Sequence, residues 1–106
     1  MNIIEYKDGM EINDLNKIYF FKTHGCSVCV GMLEKTKEAL KDYDINMYLI
    51  QVEDNPKLRG EYLIFTGPTI LVLKDNTVVS KESGFVEFSK LKNALDFINV
   101  PKIKEN

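Results

Sequence analysis

A chain of 106 residues, 44% hydrophobic and 28% charged, has the size and balance of one folded domain over 1–106, which excludes a disordered or membrane-embedded protein. Its net charge of −2 comes from 14 basic and 16 acidic residues scattered along the chain, with no basic stripe for nucleic acid and no polybasic segment for a membrane surface. Residues 1–10 carry Glu5, Lys7 and Asp8 and so lack the apolar heart of a secretion signal, and no apolar run is long enough to cross a bilayer. The cytoplasm, where thiols are kept reduced, is the expected compartment.

Residues 3–6 read as a short first strand. Residues 8–17 are polar, with apolar Met10, Ile12 and Leu15, which suits a short helix or an irregular connection. Residues 17–22 (KIYFFK) form an apolar, aromatic run flanked by lysines, the pattern of a strand buried on both faces. After Thr23-His24-Gly25-Cys26-Ser27-Val28-Cys29 comes a helical stretch to about Lys41, in which Val30, Leu33 and Leu40 are expected to share one face. Residues 46–52 (NMYLIQV) read as a second central strand. Residues 54–62 read as a helix with Pro56 in its first turn and Asp54 or Asn55 as cap. Residues 69–74 and 77–81 are two strands around Asp75-Asn76, both tolerant of positive φ, so a tight hairpin is predicted. Phe88, Leu91, Leu95 and Ile98 recur at helical spacing over a terminal helix that Pro101 should end. The lysine-rich tail, 101–106, is expected to fray.

Strand–helix alternation followed by a hairpin implies parallel strands joined by crossover helices, with antiparallel strands added at one side. An α/β fold follows, a central mixed sheet flanked by helices on both faces.

The chain has two cysteines, three positions apart, where a buried strand gives way to a helix. Backbone N–H groups and the helix dipole at that end favour negative charge and hence a thiolate at Cys26. Thiols in such settings fall below the free pKa of about 8.5. Cys29, one turn further in, is less exposed and within bridging reach. Cys26 is thus the candidate nucleophile and Cys29 the thiol that resolves the mixed disulfide. Three other readings compete. The pair could be small core residues, or a structural disulfide, although so short a loop constrains the unfolded chain little. It could also be half of a zinc site. His24 is the sole histidine, so at most three ligands are in view and no metal is expected. His24 itself reads either as a modulator of the Cys26 thiol or as a solvated loop residue.

The chain resembles the thioredoxin superfamily over nearly its whole length. The carriers are Cys26/Cys29 after a strand, the acidic strand end and Asn-Pro helix start at Val52-Glu53-Asp54-Asn55-Pro56, Gly67-Pro68-Thr69 twelve residues after Pro56, and Gly84 sixteen after Pro68. The resemblance implies a thioredoxin-like fold and dithiol–disulfide exchange at Cys26 and Cys29. It implies a cis Pro68 packed on the cysteines, in place of a plain trans Gly-Pro turn, and a Gly67 backbone that pairs with an extended substrate. It implies no cofactor beyond the redox-active disulfide, disulfide-containing protein substrates, and recycling by a flavoprotein disulfide reductase using NADPH. A monomer is expected.

The departures carry chemistry too. Ser27-Val28 stands for the family's Gly-Pro, and Gly25 for its tryptophan. Phe20 and Leu49 replace a buried aspartate and its lysine partner. Losing both charges is self-consistent, because each is costly without the other. Deprotonation of Cys29 should then rely on solvent, Glu53 or His24. Ser27 and Val28 should shift the reduction potential, where about 30 mV corresponds to about 1.4 kcal/mol. Val28, Gly25, Gly67 and Phe85 could line an apolar platform, although Phe85 is expected to pack into the core. The favoured function is a cytoplasmic disulfide reductase, with glutaredoxin-like use of a small thiol left open. The rival is a non-catalytic binding or redox-sensing module of the same fold.

Overall fold

β2 (Asn16–Lys22) is apolar on both faces and lies in the middle of a five-stranded mixed sheet. The structure, a computed structural model, describes residues 1–103. Around β2 the chain order is β1 (Asn2–Glu5), then β2, α1 (Ser27–Leu40), β3 (Asn46–Gln51), a 3-10 turn (Val52–Asp54), α2 (Pro56–Tyr62), β4 (Thr69–Lys74), β5 (Thr77–Ser83) and α3 (Phe88–Phe97). The spatial order is β1-β3-β2-β4-β5. β3 runs parallel to β1 and β2, and β4 runs antiparallel to β2 and β5. The α/β architecture, a mixed sheet with helices on both faces, is the one the sequence implies.

Alternation along the strands builds two apolar layers. Ile18, Phe20, Met47, Leu49, Ile70 and Val72 face Met32 and Leu40 of α1 and Leu91 and Leu95 of α3. On the other face Tyr19, Phe21, Tyr48, Ile50, Leu71 and Leu73 meet Ile64, with Leu58 and Tyr62 of α2 packed against them. Tyr19 sits edge-on to Tyr62 at 5.6 Å, a geometry that the ring quadrupoles favour. Fully burying one such large apolar side chain contributes about 1.5–3 kcal/mol. Helices thus cover both faces, α1 and α3 on one and α2 on the other.

Residues 8–15 form a turn and an irregular connection, the second of the two readings the sequence offers. Several other local expectations are corrected. The buried face of α1 is Cys29, Met32, Thr36 and Leu40, whereas Val30 is 67% exposed. Polar Thr36 is accommodated there by donating to the Met32 carbonyl at 2.6 Å. Asn55 occupies the N-cap position of α2, but its side chain donates back to Gln51 O at 2.9 Å and caps nothing. In the predicted hairpin only Asp75 takes positive φ. α3 ends at Phe97, before Pro101, and the chain turns at Asn99 with φ 60°, after which Val100 N–H returns to Leu95 O at 3.0 Å. Residues 101–103 do not fray. Asp44 N–H donates to Pro101 O at 2.8 Å, and Ile103 N–H to Asp42 O at 2.6 Å. The rest of that tail, 104–106, lies outside the described residues.

Candidate active site

Strand β2 delivers the chain to the carboxyl edge of the sheet, where open α/β sheets present their ligand sites. There Thr23, His24 and Gly25 turn into α1, with Gly25 at φ +67°, a conformation side chains rarely adopt. Cys26 is the N-cap of α1, and its Sγ accepts the Cys29 amide N–H at 3.0 Å. A thiolate at Cys26 would keep that acceptor role at the positive end of the helix. The two cysteines are joined in a disulfide with a Cα–Cα separation of 5.2 Å. Cys26 is half-buried and Cys29 buried, so the outer sulfur is the accessible one.

The segment before β4 closes over the pair. The Gly67–Pro68 peptide bond is cis, and Pro68 is buried. The Gly67 carbonyl oxygen lies 3.7 Å from Cys26 Sγ. Glycine is required here by close approach. A Cβ on Gly67 would stand 2.8 Å from Thr23 Oγ1 and 3.1 Å from Cys29 Sγ. Gly84 N–H donates to the Pro68 carbonyl at 2.9 Å, which ties the end of the hairpin to this loop.

Glu53 reaches the site from the 3-10 turn. Its carboxylate accepts from Gln51 Nε2 at 2.9 Å and from the His24 backbone N–H at 3.1 Å. These hydrogen bonds, that from Gln51 foremost, pull its pKa down to about 2. A carboxylate so stabilised is a weak base, and its evident work is to hold the His24–Gly25 turn. The His24 side chain is exposed at a cavity of about 540 Å³ beside the disulfide. Phe20, Gly25, Cys29, Val30 and Leu33 also line it. Phe20 is fully buried and pairs in register with buried Leu49, so these two positions form an apolar pair within the core.

Ser27 and Val28 lie exposed on the first turn of α1. Phe85 does not pack into the core and is 82% exposed. Gly84, with φ +73°, turns the chain so that Val86 is buried in its place. Phe65, 77% exposed two residues before Gly67, is a further surface aromatic that the sequence reading missed. Its signal was an aromatic in an otherwise polar turn, Phe65-Thr66-Gly67-Pro68. Among the described residues no group of three or more His, Cys, Asp or Glu side chains is gathered to hold a metal ion, and no helix is long and apolar enough to cross a membrane.

No model of a known protein family matches the chain. Individual proteins do. Thioredoxin-like protein YdfQ of Bacillus subtilis is 31% identical over 72 residues, which are 67% of this chain and 64% of that protein. The chain therefore spans just under two thirds of that relative's length. A thioredoxin of Staphylococcus epidermidis is 29% identical over 82 residues, covering 76% of this chain and 79% of it. Among solved structures, a reduced Schistosoma mansoni thioredoxin pre-protein superposes with a TM-score of 0.76 over 92% of this chain and 98% of its own, at 20% identity that speaks to fold alone. Thioredoxin 1 of the thermophile Thermosipho africanus is 32% identical, with a TM-score of 0.67 over 77% of this chain and 92% of that one. With that identity, that coverage and a Cys-x-x-Cys disulfide at the start of α1, the chain belongs to the thioredoxin superfamily, a family of disulfide oxidoreductases.

Proposed function

We propose that the protein is a cytoplasmic thiol–disulfide oxidoreductase that reduces disulfides in other proteins, with Cys26 attacking and Cys29 resolving. The observation that carries this reading is a half-exposed Cys26 at the start of α1, bridged to a buried Cys29 beside the cis Gly67–Pro68 bond. In the reduced protein the Cys26 thiolate attacks one sulfur of a substrate disulfide, and the other substrate sulfur leaves as a thiolate that takes up a proton. Cys29, once deprotonated, attacks Cys26 Sγ, releases the second substrate thiol and closes the Cys26–Cys29 bond. The Gly67 backbone pairs with the extended substrate, Pro68 removes an N–H beside the sulfurs, and Ser27 and Val28 tune the dithiol. Reduction of the closed disulfide falls to a flavoprotein disulfide reductase. Residues 1–106 act as one domain and as a monomer, with no cofactor beyond the disulfide.

The test is the equilibrium of the Cys26–Cys29 pair against a thiol redox buffer, read by alkylation of free thiols. A potential near the value known for thioredoxin, about −270 mV, supports a net reductase. A value above about −200 mV replaces it with an oxidant, isomerase or small-thiol-coupled role. If no bridge forms at any poise, a binding module of the same fold takes over, and partner capture should then survive Cys26→Ser.

A further inference from the structure

The cavity of about 540 Å³ beside the disulfide falls in the range of about 300–1,000 Å³ typical of small-molecule sites. Cys26 and Cys29 both contribute to its wall, whereas Gly67 and Pro68 do not line it. The disulfide therefore has two approaches, one along the Gly67–Pro68 backbone and one through this cavity. We propose that the cavity is a second substrate site, which admits low-molecular-weight aliphatic thiols to the Cys26–Cys29 disulfide. This rests on the exchange chemistry proposed above.

The occupant follows from what lines the space. The reactive group in the wall is a disulfide, which is cleaved by thiolates. Val30 and Leu33 supply aliphatic surface suited to a short carbon chain, with the fully buried Phe20 behind it. The charges at the cavity are already matched. Lys22 pairs with Glu5 at 3.6 Å, and Glu34 with Lys37 at 3.2 Å. A neutral or zwitterionic thiol suits such a rim better than a polyanion. The mouth is unroofed at Gly25, where nothing stands within 4 Å of the place a Cβ would take. A folded partner is too bulky for this volume and is left to the Gly67 side.

The chemistry balances with two thiols. The first, as thiolate, bonds to one sulfur of the bridge, the Sγ–Sγ bond breaks, and the released cysteine thiolate takes up a proton. The second, also as thiolate, attacks the sulfur of the first small molecule in that mixed disulfide, and the protein cysteine leaves as a thiolate that takes up a proton. The protein ends with both cysteines as thiols, and the two small molecules leave as their own disulfide.

Val30→Trp tests the proposal, because Val30 is exposed, lines the cavity and tolerates a larger side chain without a change in the core. Reduction of the disulfide is timed with mercaptoethanol, with cysteine, and with an extended peptide that carries one cysteine. An unstructured peptide bridged through Cys-Ser-Val-Cys serves as the reference. Val30→Trp is expected to slow both small thiols about tenfold, a barrier rise of about 1.4 kcal/mol, and to leave the peptide thiol within about twofold. Val30→Ala should speed the small thiols alone. Small-thiol rates that ignore both substitutions, or that fall in step with the peptide rate, overturn the cavity as a separate site. Rates for the protein no faster than for the reference peptide, with every thiol, overturn the exchange function itself.

Discussion

The two ends of the β2–β3 pair are built on opposite terms. At the amino end polar groups are brought inside, and those around Asp14 are hydrogen-bonded, whereas the buried Asn16 Oδ1 has no hydrogen-bond partner. Asp14 accepts from the Tyr48 hydroxyl and from Asn46 Nδ2 at 3.3 Å, and buried Lys17 donates Nζ to the Asp14 carbonyl at 3.1 Å. Further along the pair, Phe20 and Leu49 lie opposite each other in register and present only hydrocarbon. The fold can therefore accommodate a buried cation when hydrogen bonds answer it. The polar end fixes the 8–15 connection to the sheet through Asp14, while Phe20 and Leu49 belong to the core layer under α1 and α3.

The sharpest way to break this contrast is to put charge at the wrong end. Phe20→Asp removes a fully buried ring and leaves a carboxylate without a partner, a loss of about 5 kcal/mol or more, comparable with the whole stability of a small domain. Leu49 is the register partner of Phe20, so Leu49→Lys in the same chain supplies the missing cation. The double variant is expected to regain about 2 kcal/mol or more over the sum of the single losses, measured by urea unfolding. It should also speed the resolving step of Cys29 in a stopped mixed-disulfide assay. A double variant no better than that sum would show that this end cannot host the pair.

At the other end the effect is smaller. Asp14→Ala deprives Tyr48 and Asn46 of an acceptor and is expected to cost about 1–3 kcal/mol in unfolding, with disulfide exchange unchanged. Burial first, and then the bond to Asp14, raises the Tyr48 pKa above its ordinary value. The sign follows. A group whose folded pKa is raised contributes stability that is full below the unfolded pKa, about 10, and is lost as pH climbs through the folded value. Unfolding curves of the native chain and Asp14→Ala should therefore converge in part above that pH. Curves that stay parallel would remove Asp14 from the account.

Much of this was legible in the sequence where the signal is local. The KIYFFK run, the Asn55-Pro56 helix start, the Asp75-Asn76 turn and the Cys26/Cys29 pair each carry their structural meaning within a few residues. What stayed hidden depends on where the chain goes next. Phe85 is exposed because Gly84 turns at positive φ and gives the buried place to Val86. Residues 101–103 dock through backbone groups, which no side-chain pattern announces. On α1, Val30 looked like a core residue because three apolar positions fitted one spacing, yet the true face runs through Thr36, whose polar side chain broke the pattern.

The smallest effect sharpens the comparison at the site itself, where Glu53, alone among the carboxylates of the described residues, has hydrogen bonds that reach the turn before Cys26. Its folded pKa is depressed to about 2, so its hold on the turn is complete above its ordinary value and fades as pH falls toward 2. The readout is the His24 amide, followed by proton chemical shift and hydrogen exchange across acid pH. The shift should titrate near pH 2 in the native chain, and exchange at neutral pH should rise severalfold in Glu53→Ala. Glu53→Gln keeps an acceptor oxygen and should hold the amide while it erases the titration. If the His24 amide titrates the same way in Glu53→Gln, another group holds the turn, and the carboxyl end of the sheet would then position its cysteines with backbone alone.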